Sequence, residues 1–245
     1  MAGPVISLVI PAWNEEKYLP ALLDTVDAAR AAFRLGPKAI EVIVADNAST
    51  DATARIAEAR GCTVVSVEKR AIASARNGGA GAAHGDILCF IDADSRIHPD
   101  TFNEVLGTLG AGRYIAGASG VRLERWSVGI FFTWCLLMVL VVTLKVDTGV
   151  VFCRREDFER IGGYNEDRLF AEDVQFLWDL RRLGKSRGQT LIRLRRSKAM
   201  ASTRKFDKYG DWHYFTRMPR VAIQMLSNPS AATAFVRKYW YEDDR

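Results

Sequence analysis

Residues 87–95 read "ILCFIDADS": five apolar residues run without a break into two carboxylates, Asp92 and Asp94, one residue apart. The apolar run suits a buried strand. Side chains alternate faces along a strand, so positions two apart point the same way and the two carboxylates are aimed at one spot. Like charges that close disfavour joint ionisation unless a cation, a proton or ample water accompanies them. The stretch therefore predicts a buried strand with a charge-demanding site at its exit.

Upstream, the same strand signal recurs at Val5–Pro11, Ile40–Val44 and Thr63–Val67. Between the first two, Leu19, Leu22, Leu23, Val26 and Phe33 follow helical spacing, and Pro37 closes the segment. In "NASTDATARIAEARG", Ser49, Thr50 or Asp51 can cap a second helix and Gly61 can end it. Residues 74–83 are small and helix-permissive despite their glycines. This β-α-β-α order predicts an α/β fold, a mainly parallel sheet flanked by helices, with ligands at the carboxyl ends of its strands. Those ends carry Pro11, Asn14 and Glu15, then Asp46 and Asn47, then Asp92 and Asp94. Singly, each suits a turn or an early helix position; their coincidence on one rim points to a site. Farther on, Tyr114–Gly120 and Val150–Arg154 read as strands, and Glu156–Ile161 and Ala171–Leu183 as helices.

The 245 residues, 49% hydrophobic and 26% charged, are ordinary for a folded domain with a sizeable core. Four scattered cysteines read as small core residues of a reducing compartment, and no CxxC or HExxH spacing suggests zinc. The first residues lack a basic segment before their short apolar run and read as a strand, so a cytoplasmic location is expected. Residues 1–120 hold 11 basic and 14 acidic side chains, whereas 121–245 hold 23 and 15. Thirteen basic residues fall between Arg181 and Arg220 against Asp207 and Asp211 alone. Such a run is either solvated surface or a region attracting phosphates or anionic lipid. No nucleic-acid motif is present, and nucleic acid is not expected as a partner.

Paired hard-oxygen ligands at Asp92 and Asp94 suit Mg²⁺ or Mn²⁺, with a diphosphate supplying the missing oxygens. With that chemistry in place, four stretches together resemble the successive motifs of family-2 glycosyltransferases: "SLVIPAWNEEKYLPALLDTV", "EVIVADNASTDAT", "SARNGGAGAAHGDILCFIDADS" and "GGYNEDRLFAEDVQFLWDLRRLGK". The resemblance implies the GT-A (Rossmann-like) fold and inverting transfer of a sugar from a nucleotide-diphosphate donor. It further implies that Asp46 contacts the base within a pocket shaped by the Pro11–Glu15 turn. By the same resemblance Asp92 would lie near ribose and metal, Asp94 would bind the metal, and Arg76 would lie near the nucleotide. Asp173 is implied as general base. On a helix Glu172, Gln175, Asp179 and Arg182 share a polar face, while Asp173 sits with Phe176, Leu177 and Leu180 on the apolar one. "ASTRKFDKYG" resembles a stretch in which a basic residue approaches the diphosphate, making Arg204 a donor-binding candidate. His213, between Trp212 and Tyr214, reads as packing rather than as a metal ligand.

On this basis residues 1–120 form the nucleotide-sugar half of the domain, 121–200 the acceptor half, and 201–245 a helical, basic C-terminal extension. Two rivals remain: a sugar-phosphate nucleotidyltransferase, which needs a glycine-rich basic N-terminal loop, and a non-catalytic carbohydrate- or partner-binding module on the same fold. The acceptor is left open as a saccharide, a lipid-linked molecule or a small molecule. Residues 127–144, 18 in a row without a charge, are long enough to span a bilayer. A single span would separate Asp94 from Asp173, however, so core, homodimer interface or peripheral contact with the inner face of a membrane are the expected placements.

Overall fold

The computed structural model describes residues 3–144, 147–168 and 172–216. The chain divides into two compact units, Met1–Arg122 with Val146–Ala201, and Leu123–Lys145 with Ser202–Arg245. The first is built on a sheet of β1 (Ile6–Ala12), β2 (Ile40–Asp46), β3 (Thr63–Ser66), β4 (Ile87–Phe90), β5 (Tyr114–Leu123), β6 (Val151–Arg154) and β7 (Thr190–Ala201). Their spatial order is β3-β2-β1-β4-β6-β5-β7. The pairs β1–β2, β1–β4 and β2–β3 are parallel, and β6 runs antiparallel to both β4 and β5. The α/β expectation holds.

Strand periodicity sorts the helices onto two faces. Ile6, Leu8 and Ile10 of β1 join Cys89 of β4 in one core. Leu22 and Val26 of α1 (Leu19–Ala31) and Phe102 and Val105 of α4 (Thr101–Gly110) pack into it. The alternate residues, Val9 of β1 and Ala45 of β2, lie under α3 (Ile72–Gly81). A Cβ on Gly79 would stand 2.5 Å from Val9 Cγ1 and 3.3 Å from Ala45 Cβ, so this helix reaches the sheet only because that position is glycine. Phe90 is in register with Val9 and shares its face. It meets Phe158 of α6 (Arg155–Ile161), Tyr164, and Phe176 of α7 (Glu172–Lys185) at ring separations of 5.7, 5.2 and 6.0 Å. This aromatic cluster seats the apolar side of α7.

The second helix, α2 (Thr53–Ala59), ends as its sequence predicts, with Gly61 left-handed at φ 71°. At its start the cap position falls on Ala52, which makes no side-chain cap bond, while Asp51 just before it accepts the Thr53 N–H on Oδ1 at 2.9 Å. Two elements have no counterpart in the sequence reading, α4 and β7. The basic residues of β7 resemble a solvated run, yet Leu194, Ser197 and Ala199 point inward while Arg195, Arg196 and Lys198 face out. Charges on the outer strand of a sheet disfavour edge-to-edge pairing. Strand β4 also stops at Phe90, before the carboxylates. Asp92 and Asp94 therefore lie in the turn beyond it, and strand alternation does not decide which way they point.

The second unit contains α5 (Val128–Leu144), α8 (Arg204–Tyr209) and α9 (His213–Thr216). Arg125 pairs with Asp207 at 2.5 Å and Asp211 at 2.7 Å, and Phe132 stacks on Trp212. Ile130 and Thr133 of α5 are buried, but Phe131, Phe132, Leu136 and Val139 are exposed, so much of this helix is not core. No helix among the described residues is long and apolar enough to cross a membrane. Arg217 and Arg220, with most of the expected C-terminal extension, lie outside the described residues.

Candidate active site

The exits of β1 and β2 are laced together. Asn14 takes a left-handed φ of 52°, tolerable for asparagine. Its N–H donates to Ser49 Oγ at 3.0 Å while its Oδ1 accepts the Thr50 N–H at 2.8 Å. Glu15 is buried and its N–H donates to Thr53 Oγ1 at 2.7 Å. Pro11 lies within β1 opposite Ala45, and Asp46 closes β2 opposite Ala12 with Oδ1 accepting the Ser49 N–H at 3.3 Å. Asn14 is thus committed to holding two loops together, and Asp46 stands at their edge. Beside them the Arg70 guanidinium lies 3.9 Å over the Trp13 ring, a cation–π contact.

Arg76, buried on α3, is the hub. One terminal nitrogen donates to Asp92 Oδ1 at 3.0 Å; the other donates to Asp173 Oδ1 at 2.8 Å and Glu172 Oε1 at 3.2 Å. Its guanidinium also lies 5.1 Å from the centre of the Tyr164 ring, and the Tyr164 hydroxyl donates to Asp173 Oδ1 at 3.1 Å. The three carboxylates satisfy both terminal nitrogens of this buried cation, while its buried Nε has no hydrogen-bond partner. Without Arg76 the mostly buried Glu172 and Asp173 would be costly, whereas Asp92 is exposed. Burial pushes the Asp173 carboxyl up to about 6; Arg76 opposes the rise, Glu172 and Asp92 add to it, and the Tyr164 hydrogen bond opposes it. Burial works against the charge of Arg76 as well, but Asp173, Tyr164, Asp92 and Glu172 outweigh it and hold the guanidinium above its ordinary range. Asp173 is therefore a carboxyl able to gain and lose a proton near neutral pH.

Several sequence-predicted residues thus come together. Asp92, Arg76 and Asp173 form one hydrogen-bonded group, joining the exit of β4 to the start of α7. Glu172, assigned by helical spacing to the polar face, turns to Arg76 instead. Arg204 opens α8 in the second unit. His213 is buried there between Phe206 and Tyr214, its Nδ1 donating to the Gly210 carbonyl at 2.8 Å, which fits packing. No group of three or more His, Cys, Asp or Glu side chains is gathered for a metal among the described residues. The donor set at the β4 exit consists of hard carboxylate oxygens, with Asp92 exposed, and this chemistry fits Mg²⁺ or Mn²⁺ sharing its shell with phosphate oxygens and water. Tyr164, Asn77 and Glu166 went unread in the sequence, although "ARN" and "GGYNED" carry them.

Residues 7–127 match the model of glycosyl transferase family 2. The chain belongs to that family. An uncharacterized glycosyltransferase of Mycobacterium bovis is 33% identical over 112 residues, 46% of this chain and 47% of that protein. The undecaprenyl-phosphate 4-deoxy-4-formamido-L-arabinose transferase of Klebsiella pneumoniae is 35% identical over 132 residues, 49% of this chain and 37% of its own. The chain thus spans half or less of the length of these curated relatives. Glucosyl-3-phosphoglycerate synthase of Mycobacterium tuberculosis, solved with Mn²⁺, UDP and glucosyl-3-phosphoglycerate, superposes with a TM-score of 0.60 at 24% identity, covering 85% of this chain and 75% of that one. The family-2 chain therefore has the GT-A fold.

Proposed function

We propose that this family-2 chain transfers a sugar, of hexosyl type, from a nucleotide-diphosphate donor to an acceptor hydroxyl with inversion, assisted by Mg²⁺ or Mn²⁺. The observation that carries the reading is Asp173, a largely but not fully buried carboxyl, its side chain 15% exposed, with a value near 6 and linked through Arg76 to Asp92 at the exit of β4. Asp173 takes the proton of the acceptor hydroxyl. The acceptor oxygen attacks the anomeric carbon from the side opposite the diphosphate, whose bond to that carbon breaks and whose oxygen keeps the electron pair. Asp46 and the Pro11–Glu15 turn face the base, and residues 1–120 form the donor half. Residues 121–200 form the acceptor half, and Arg204 is a candidate for binding the donor. A divalent cation bound by Asp94 and Asp92 would neutralise the leaving diphosphate. The solved relative that contains UDP and Mn²⁺ supports this choice of donor and metal.

A panel of UDP- and GDP-sugars incubated with Mn²⁺ tests the reading. Metal-dependent release of the nucleoside diphosphate is expected, with the opposite anomer in the product. Calorimetry with UDP or GDP and Mn²⁺ should show metal-dependent affinity that Asp94→Ala loses; unchanged affinity in that variant removes Asp94 from the site.

A lipid-linked acceptor at the inner face of a membrane is favoured by the exposed aromatic and aliphatic residues of the second unit, Trp126, Phe131, Phe132, Val139 and Trp212, and by the basic run. The name of the undecaprenyl-phosphate transferase points the same way. Co-sedimentation with anionic, but not neutral, vesicles at low salt is expected. A stable dimer that ignores vesicles would make the same face a subunit interface.

A further inference from the structure

Asn77 follows Arg76 on α3, and its side-chain amide pairs with the backbone of the loop that leads towards α7. Nδ2 donates to the Tyr164 carbonyl at 2.9 Å and Oδ1 accepts the Tyr164 N–H at 2.8 Å, so one side chain does for this residue what a neighbouring strand would do. The loop is shaped for that contact. Gly163 has a φ of 74°, and a Cβ on it would stand 2.7 Å from Asn77 Oδ1. Glu166 adds a second tie: Oε1 accepts from Asn77 Nδ2 at 3.0 Å, and Oε2 accepts from Ser74 Oγ at 2.7 Å and Lys69 Nζ at 2.9 Å.

Lys69 belongs to the loop between β3 and α3. Buried Asn47, just past Asp46, holds this loop by donating to the carbonyls of Val67 and Lys69 at 2.8 and 2.7 Å. At the other end the Tyr164 hydroxyl donates to Asp173. Side-chain hydrogen bonds thus run from the exit of β2, through the 67–70 loop and Glu166, to Asp173. A staple for one loop needs only the Asn77–Tyr164 pair. Glu166 ties that loop to another, on the side of the sheet where the nucleotide is expected.

We propose that Asn77 and Glu166 are positioning residues: they set Tyr164, and through its hydroxyl Asp173, and they couple that setting to the 67–70 loop on the nucleotide side. The inference rests on Asp173 acting as the base.

Its test compares the unaltered chain with Tyr164→Phe, Glu166→Ala, Glu166→Gln and Lys69→Met. Two readouts are used: steady-state kinetics with whichever UDP- or GDP-sugar is turned over with Mn²⁺, and amide hydrogen exchange with and without UDP or GDP and Mn²⁺. Tyr164→Phe and Glu166→Ala should each lower kcat about tenfold, the scale of one charge-assisted hydrogen bond, with donor KM unchanged within about twofold. Glu166→Gln, which keeps the shape, should recover most of the loss. Exchange should rise in both 67–70 and 162–166 for Glu166→Ala, and in 162–166 for Lys69→Met, with β1 and β4 unaffected. A rise confined to the substituted segment overturns the coupling. A rise across β1 and β4 with a lower Tm makes Glu166 a stability element and overturns the positioning role, as does a KM effect without a kcat effect. If no donor is turned over, the proposed function fails, while the exchange pattern still decides the clasp.

Discussion

Two carboxylates seven residues apart, Glu166 and Asp173, are held by the same short helix and driven in opposite directions. Glu166 is partly exposed and accepts from Asn77, Ser74 and Lys69; those bonds hold it down to about 2. Asp173 is the less exposed of the two, its side chain 15% accessible against 35% for Glu166; it accepts from Arg76 and Tyr164, and loss of solvation still lifts it to about 6. Both have cationic neighbours, so charge pairing does not separate them. What separates them is water: Glu166 keeps its solvation and adds donors, whereas Asp173 gives up solvation and shares its one cation with Glu172 and Asp92. The first environment makes a permanent anion, suited to holding things in place. The second makes a group that exchanges a proton, suited to chemistry.

The largest expected effect follows from exchanging the roles of the two groups. Asp173→Asn should lower turnover roughly 10²-fold or more, the usual size of a general-base contribution, while donor affinity persists. Glu166→Gln should cost far less. Equal losses in the two variants, measured as kcat with a saturating donor, would collapse the distinction; near-normal turnover in Asp173→Asn would point to a phosphate acceptor or another base.

A smaller effect is the response of activity to pH. If Asp173 works as its anion, kcat should fall about tenfold for each unit below the value near 6, and Asp173→Asn should flatten that limb. A limb with the same midpoint in the variant would assign the titration to a different group.

The sequence makes one half of this contrast readable. Asp173 falls on the apolar side of a helix whose period is local information, and the structure buries its neighbours Phe176, Leu177 and Leu180. The strand exits were readable for the same reason, because Asn, Asp and Gly after an apolar run report their own backbone. The hub was not. Arg76 meets Glu172 across 96 positions, and the contact exists because Gly79 lets α3 lie close on Val9 and Ala45. Helical spacing alone therefore placed Glu172 on the wrong side. The strand β7 was hidden because an outward row of Arg and Lys has the composition of plain surface. The exposure of α5 was hidden because an apolar helix reads alike whether it faces a core, a partner or a lipid.

The smallest effect, and the most direct on the contrast itself, is in stability against pH. Glu166 has a folded-state value near 2, below its ordinary 4.5, so its contribution to stability is complete above about 4.5 and is lost as pH falls towards 2. Asp173 has the opposite sign. Its folded value near 6 lies above its ordinary 3.8, so ionising it removes stability as pH rises between the two. Melting curves of Glu166→Gln should therefore lie below those of the unaltered chain at pH 7 and approach them on acidification. The Lys69 arm, with both side chains partly in water, adds little to that gap, and most of it comes from Asn77 and Ser74. Asp173→Asn removes the nearest carboxylate of buried Arg76 and should melt below the unaltered chain, and because the variant lacks this titration its deficit should widen as pH falls from 7 to about 4. A destabilisation of Glu166→Gln that stays constant from pH 7 to pH 3 would mean that the carboxylate is not held down by its three donors, and the division between a fixed anion and a working one would have no electrostatic basis.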